Sequence, residues 1–251
     1  MRAISSRISS SWACCCRCGA EQVSPTPNSN PSRTALVAGA SGLVGSHVLR
    51  LLLEDPAYTR VTILARRELP LAQKKLEQRV VGFDRLAQIA DFPRVQDVFC
   101  CLGTTMKQAG SPEAFRTVDY TYVVELARVA VRHRASQFLV VTALGANARS
   151  RIFYNRVKGE TEEAVRRLQF DGIQIFRPSM LIGARAESRP AERAAGILSP
   201  LVAWALVGPL ARYRPIKAEA VARALVRVAR EAPRGTHVYE SEEIRRLASR
   251  S

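Results

Sequence analysis

Tyr154 and Lys158 stand four residues apart in Tyr154-Asn155-Arg156-Val157-Lys158. On a helix that spacing puts a phenol and an ammonium on one face, one turn apart. The ammonium stabilises a tyrosinate, so the phenol can give its proton to a carbonyl oxygen while hydride arrives from a nicotinamide. Thr142 lies upstream, at the end of the apolar run Gln137-Phe138-Leu139-Val140-Val141. Its hydroxyl either bonds the substrate carbonyl or is a satisfied strand-end group.

A second constellation supplies a partner for that chemistry. Gly39, Gly42 and Gly45 recur at three-residue spacing in Gly39-Ala40-Ser41-Gly42-Leu43-Val44-Gly45, after the apolar run Ala35-Leu36-Val37-Ala38. The first glycine makes a tight turn, the second admits phosphate to the backbone, and the third lets helix and strand pack closely. The backbone of Gly39, Ser41, Gly42, Leu43, Val44 and Gly45 is therefore expected to cradle a pyrophosphate at a helix N-terminus. An acid normally ends the second strand of such a unit and bonds the ribose hydroxyls; here that strand ends Ala65-Arg66-Arg67. Arg66 and Arg67 suit a 2′-phosphate, which predicts NADP over NAD, unless they are solvated loop arginines. Asp84 follows a third apolar run and either reaches the adenine amino group or caps the helix after it.

These residues need a scaffold that brings strand ends together. The chain alternates, with strands expected over 35–38, 61–64, 79–81, 97–101, 137–141 and 173–176. Helices are expected over 44–54, 85–90, 111–133, 154–168 and 217–231, with a last short strand at 237–239 and a terminal helix from 241. Ser111-Pro112 is a helix start, the serine capping and the proline filling the first turn. Near-continuous apolar strands alternating with helices predict an α/β fold, a doubly wound parallel sheet covered on both faces. One domain is expected over 34–251, with 179–251 forming a small C-terminal region on the substrate side. The segment 194–210 is apolar but broken by Pro200, Gly208 and Pro209. It reads as a buried helix, a lid or an oligomer contact, or as an interfacial membrane helix, and is too short and broken to span a bilayer.

Composition narrows the class further. Hydrophobic residues make up 47% and charged residues 24%, as in an ordinary globular enzyme. The formal charge of +16 comes almost wholly from arginine, the lysines being Lys74, Lys75, Lys107, Lys158 and Lys217. The arginines are scattered and no nucleic-acid motif accompanies them, so no specific nucleic-acid partner is expected. The charge reads instead as an arginine-favouring composition together with an anionic cofactor. Cys14, Cys15, Cys16 and Cys18 have neither the spacing of a disulfide framework nor the second pair of a zinc site. Cys100 and Cys101 read as small buried hydrophobes; no metal is expected, and a reducing compartment is the default. Residues 1–33 are rich in serine, arginine and proline, with Glu21 as the only acid. They read as a disordered extension or an over-long start in a cytoplasmic protein, or as a mitochondrial transit peptide, with acylation of the cysteine cluster a further reading.

The glycine spacing, Thr142 and Tyr154-x-x-x-Lys158, in this order, resemble the short-chain dehydrogenase/reductase superfamily. Cys100-Cys101-Leu102-Gly103-Thr104-Thr105, Phe153-Tyr154 with Val157-Lys158-Gly159-Glu160, Phe176-Arg177-Pro178 and Glu187-Ser188-Arg189-Pro190 resemble its Tat-interacting-protein-like branch, to which a fungal mitochondrial group is related. The resemblance runs from about Thr34 to Ile244. It implies an NADP-binding Rossmann fold, with Cys101, Leu102, Gly103 and Thr104 beside the nicotinamide half of the cofactor. It also implies that Pro178, Ser179 and Met180 touch the carboxamide end, while Tyr154 and Lys158 hold the ribose and catalyse. Two departures stand out. The strand-end pair often written Ser-Ser is Thr142-Ala143 here, which leaves the catalytic hydroxyl to Thr142. The asparagine common in the helix after the fourth strand is replaced within Asp119-Tyr120, which removes a proton relay from that position.

The expected function is an NADP-dependent oxidoreductase of a small-molecule carbonyl or alcohol, with NAD as the other cofactor the fold admits. The apolar, arginine-rich segment after Pro178 suits a hydrophobic substrate, one with an acidic group included. The alternatives are a non-catalytic NADP-binding regulatory or interaction protein, and a protein using its charge at nucleic acid or in peripheral membrane contact. An oligomer is compatible with each.

Overall fold

The computed structural model describes residues 32–89, 91–183 and 212–249. The expected extension over 1–33 falls almost wholly outside them, as do the apolar segment 194–210 and the Glu187-Ser188-Arg189-Pro190 motif. Strands β1 (Arg33–Ala38), β2 (Tyr58–Ala65), β3 (Leu76–Val80), β4 (Asp97–Cys100), β5 (Gln137–Val141), β6 (Gly172–Arg177) and a strand at Gly235–Glu240 form one seven-stranded sheet. Every pairing in it is parallel, in the order β3-β2-β1-β4-β5-β6 and then Gly235–Glu240. The order reverses between β1 and β4, which opens a crevice at the carboxyl ends of those two strands.

Alternation along the strands divides the core between the two faces. Val37, Ile63, Phe99 and Leu139 face one apolar layer, and Leu36, Leu64, Val98 and Phe138 face the other. The first layer is covered by α1 (Leu43–Glu54) and by a helix at Ala218–Glu231, through Val48, Leu52, Val221 and Leu225. The second is covered through Val123, Leu126 and Ala130 of a helix at Tyr122–Arg132, and through Val165. The amino edge is pinned by Asp97, fully buried, which accepts from Arg33 at 2.7 and 2.9 Å, Tyr58 at 2.8 Å and Gln137 at 2.8 Å. These four hydrogen bonds, from three partners, satisfy a carboxylate that would otherwise be costly to bury.

Several boundaries differ from the sequence-based expectation for local reasons. The helix expected over 85–90 is a 3₁₀ turn at Phe83–Gln88. A separate turn, α2 (Met106–Ala109), precedes the region expected as one helix over 111–133, and that region has three parts, α3 (Pro112–Arg116) meeting α4 (Tyr122–Arg132) through a π-helical turn at Thr117–Thr121. Ser111 caps α3 as expected, its hydroxyl accepting from the Ala114 amide at 3.1 Å. A small parallel pair, β7 (Leu181–Ile182) with β8 (Ile216–Lys217), stands apart from the main sheet. With α5 (Phe153–Arg166), α6 (Ala218–Glu231), β9 (Gly235–Glu240) and α7 (Ser241–Ser249), the described architecture is an α/β doubly wound parallel sheet.

Candidate active site

The glycine turn occupies the crevice at the β1–β4 switch. Gly39 has φ +84°, and a Cβ there would lie 2.6 Å from the Cys101 carbonyl oxygen. A Cβ on Gly45 would lie 2.1 Å from the Gly39 carbonyl oxygen, so the third glycine is what lets α1 start against the end of β1. The Gly42 amide donates to Gly39 O at 2.9 Å, and Gly42 opens α1 without any side-chain cap and with no acid in the first turn. The first-turn amides have no partner within the helix. A cradle too tight for a Cβ, ending on an uncapped helix N-terminus, fits the pyrophosphate of a dinucleotide. Ser41 is exposed at the rim, Val44 is buried, and Leu43 directs its side chain towards Gly183 at the end of β7.

Arg66 and Arg67 are exposed immediately after β2, on the same carboxyl edge. Asp84 follows β3 in the first part of the 3₁₀ turn, mostly exposed, 3.8 Å from Arg85. Its side chain makes no capping hydrogen bond, so the capping alternative is not realised.

The loop after β4 joins the glycine turn to α5. The Cys101 amide donates to Ala38 O at 2.9 Å, and the Thr104 amide donates to Asp119 Oδ2 at 2.9 Å. Leu102 and Gly103 complete the loop, and a Cβ on Gly103 would lie 3.6 Å from Lys158 Nζ. Cys100 is a buried free thiol, its pKa pushed up to about 12 by burial, as befits a small hydrophobe.

Lys158 is buried on α5, and its Nζ lies 2.7 Å from Asp119 Oδ1. The approach is an ion pair without direct hydrogen-bond alignment. Burial works to lower the Lys158 pKa, but the Asp119 carboxylate, with Tyr154, outweighs it and holds the ammonium above its ordinary value. The π turn makes this contact available. Asp119 sits on it fully buried, and its carbonyl accepts from Thr161 of α5 at 2.9 Å. Departures of this kind from the α-helix recur at functional sites. The substitution at Asp119 had been expected only to remove a relay; instead this carboxylate is the counter-ion of Lys158. A sequence signal for it exists, since Asp119 is at helical spacing from Phe115 and Val123, both buried. An acid on a core-facing stripe needs a buried partner.

Tyr154, one turn before Lys158, packs its ring against Phe115 at 5.3 Å between centroids. It lines a cavity of about 330 Å³ with Ala143, Leu144, Pro178, Ser179, Met180 and Tyr213. The floor continues the β5–β6 pairing, the Leu144 amide donating to Pro178 O at 2.9 Å. Pro178 and Met180 line this cavity, on the strand-end stretch where the cofactor's carboxamide end is expected. A larger cavity, about 440 Å³ between Arg60, Arg79, Arg94 and His133, lies towards the amino edge, away from the glycine turn.

Thr142 requires a correction. Its hydroxyl is buried and donates to Glu162 Oε1 at 2.7 Å, with Phe176 O at 3.3 Å. Glu162 in turn accepts from Arg177 at 2.6 and 2.9 Å. Thr142 is the satisfied strand-end group, and the neighbour that lines the cavity is Ala143, because successive side chains of an extended chain point to opposite sides. The proton expected to orient a carbonyl oxygen is spent on Glu162.

The profile of the NAD(P)H-binding family matches residues 39–188. The chain is 37% identical to protein HTATIP2 of Rattus norvegicus over 165 residues, 64% of this chain and 68% of the relative. It is 31% identical to the mitochondrial protein fmp52 of Aspergillus clavatus over 215 residues, 82% of this chain and 91% of the relative. Among solved structures it is similar to UDP-glucose 4-epimerase of Thermotoga maritima, with TM-score 0.61 and 16% identity over 86% of this chain and 81% of the other. It is also similar to the human epimerase family protein SDR39U1 with NADPH, with TM-score 0.54 and 17% identity over 82% of this chain and 73% of the other. At those identities the structural likeness speaks for the fold alone. With the family profile matched over residues 39–188, more than half of its length, the chain belongs to the NAD(P)H-binding family of Rossmann-fold proteins.

Proposed function

We propose that this protein is an NADP-dependent oxidoreductase acting on an apolar carbonyl or alcohol, with Tyr154 as the proton donor and acceptor. The observation that carries the reading is Tyr154 on the wall of the 330 Å³ cavity, one helical turn from a buried ammonium. The nicotinamide, when bound, supplies or accepts the hydride. Tyr154 gives the oxygen its proton, and Lys158, held charged by Asp119, stabilises the tyrosinate left behind. None of the lining residues carries a charge, which favours an apolar substrate. NADP rather than NAD is supported by Arg66 and Arg67 in the place of a ribose-binding acid, and Asp84 on the neighbouring strand end is assigned to the adenine side.

Tyr154→Phe should abolish turnover across a carbonyl panel and spare NADPH binding in a fluorescence titration. Equal loss of both would overturn the assignment. A second reading, a cofactor-binding interaction protein without turnover, draws on Ala143, which leaves the strand end without a hydroxyl in the cavity. Tight NADPH binding with no oxidation by any carbonyl would mark it. A mitochondrial rather than cytoplasmic location is supported by the names of the fungal relatives and by the arginine- and serine-rich segment 1–33.

A further inference from the structure

We infer that Tyr213 is the second hydrogen-bond donor to the substrate oxygen, filling the role for which no strand-end hydroxyl is available. The inference rests on the carbonyl or alcohol reading of the cavity. It follows from counting the protons that can reach a bound oxygen. Ala143 has none to give, and the Thr142 proton is on Glu162. The Ser179 hydroxyl donates to the Arg214 carbonyl. Tyr154 and Tyr213 are the remaining lining residues with a side-chain hydroxyl, and neither phenol has a hydrogen-bond partner among the described residues. A polar group on an otherwise apolar cavity wall is what fixes the orientation of a ligand.

Tyr213 is about half exposed, at 47%, and the chain after it is tied to the cavity wall. The Arg212 guanidinium stands over its ring at 5.0 Å from the centroid. Next to it, the Arg214 carbonyl accepts from Ser179 and from Arg245 of α7. Beyond that, the Ile216 amide donates to Met180 O at 2.9 Å, where β8 pairs with β7. The same stretch that carries Pro178, Ser179 and Met180 into the cavity therefore also fixes the backbone of Tyr213. Tyr213 lines the cavity from the segment before β8, and Tyr154 lines it from α5.

In the reduction, hydride forms a bond to the carbonyl carbon and the C=O π pair moves to oxygen. The oxygen takes the Tyr154 proton, giving an alcohol, a tyrosinate and the oxidised nicotinamide. Tyr213 keeps its proton and donates a hydrogen bond to the oxygen as negative charge develops on it. Removing one such donor costs about a hundredfold in turnover.

The test uses the full chain with two probes, acetophenone and cyclohexanone, and two readouts. The first is the reduction rate with NADPH. The second is the infrared C=O stretch of the carbon-13-labelled ketone bound with NADP⁺, which involves no turnover. Tyr213→Phe is expected to lower kcat about a hundredfold, leave NADPH affinity unchanged and return the stretch part of the way to its unbonded frequency. Ala143→Ser in the Tyr213→Phe background is expected to recover at least a tenfold part of that loss, with a matching shift of the stretch, which a merely structural role of the ring would not allow. A kcat within twofold of wild type with an unmoved stretch overturns the inference, as does a loss that Ala143→Ser leaves untouched. Failure of the wild type to bind either ketone overturns it together with the reductase reading. A wild type that binds ketone with a shifted stretch yet transfers no hydride defeats the reductase reading alone and leaves the donor pair standing.

Discussion

Asp119→Asn changes one charge and almost nothing else. The amide oxygen still accepts from the Thr104 backbone, where Asp119 Oδ2 now does so at 2.9 Å, and the side-chain volume is kept. What is lost is the negative partner of Lys158, in a site where the lysine side chain is 6% exposed and the carboxylate wholly buried. An unpaired buried charge of this kind costs about 3–5 kcal/mol. Lysine can escape the penalty by releasing its proton, which at pH 7 costs about 4.6 kcal/mol for an ordinary pKa of about 10.4. The two routes agree, so a loss of about 4 kcal/mol at pH 7 is expected.

The sign of the pH dependence separates the variant from an ordinary packing defect. In the wild type the Lys158 pKa is raised. The stability it contributes is therefore fully present below about pH 10.4 and is lost as pH rises through the folded-state value. In Asp119→Asn the carboxylate that opposes burial is gone, only the smaller contributions of Tyr154 and Cys100 remain, and the pKa falls below its ordinary value. Between that lowered value and about 10.4 the unfolded chain binds one proton more than the folded one, so stability rises by about 1.4 kcal/mol per pH unit. Urea denaturation at pH 7, 8 and 9 should show the two proteins converging, the gap shrinking to about 1 kcal/mol by pH 9. A gap below about 1 kcal/mol at pH 7, or one that is the same at all three pH values, would refute the pairing as the source of the effect.

Two further substitutions test assignments around the same edge. Thr142→Val removes the buried donor to Glu162 and should cost about 1–3 kcal/mol in chemical denaturation, with turnover per folded molecule within about twofold of wild type; a tenfold fall in kcat at unchanged stability would return Thr142 to the catalytic set. Arg66→Gln with Arg67→Gln should weaken NADPH binding about tenfold or more in calorimetry and leave NADH nearly unchanged, because only a 2′-phosphate accepts the charge-assisted bonds. Equal weakening of both cofactors would remove the basis for preferring NADP.

Much of the scaffold is written locally. Ala35-Leu36-Val37-Ala38 followed by Gly39 reads as a buried strand entering a tight turn, and Ser111-Pro112 reads as a helix start. Short-range sterics and capping settle such elements, which is why β5 falls at Gln137–Val141 as expected. The departures have equally physical origins. The π turn at Thr117–Thr121 answers to Thr161 on another helix, and the β7–β8 pair joins short segments that have no strand period of their own.

The sequence by itself determined the alternation of strands and helices, the glycine turn after β1 and the shared face of Tyr154 and Lys158, because each depends on spacing along one strand, turn or helix. Tertiary structure decided which way each polar group was spent. It turned Thr142 into Glu162 and left Ala143 in the cavity, since the facing of a strand end depends on what packs on either side. It brought Asp119 under Lys158 and placed Tyr154 and Tyr213 on one cavity, a juxtaposition of separate elements that exists only after the chain has folded.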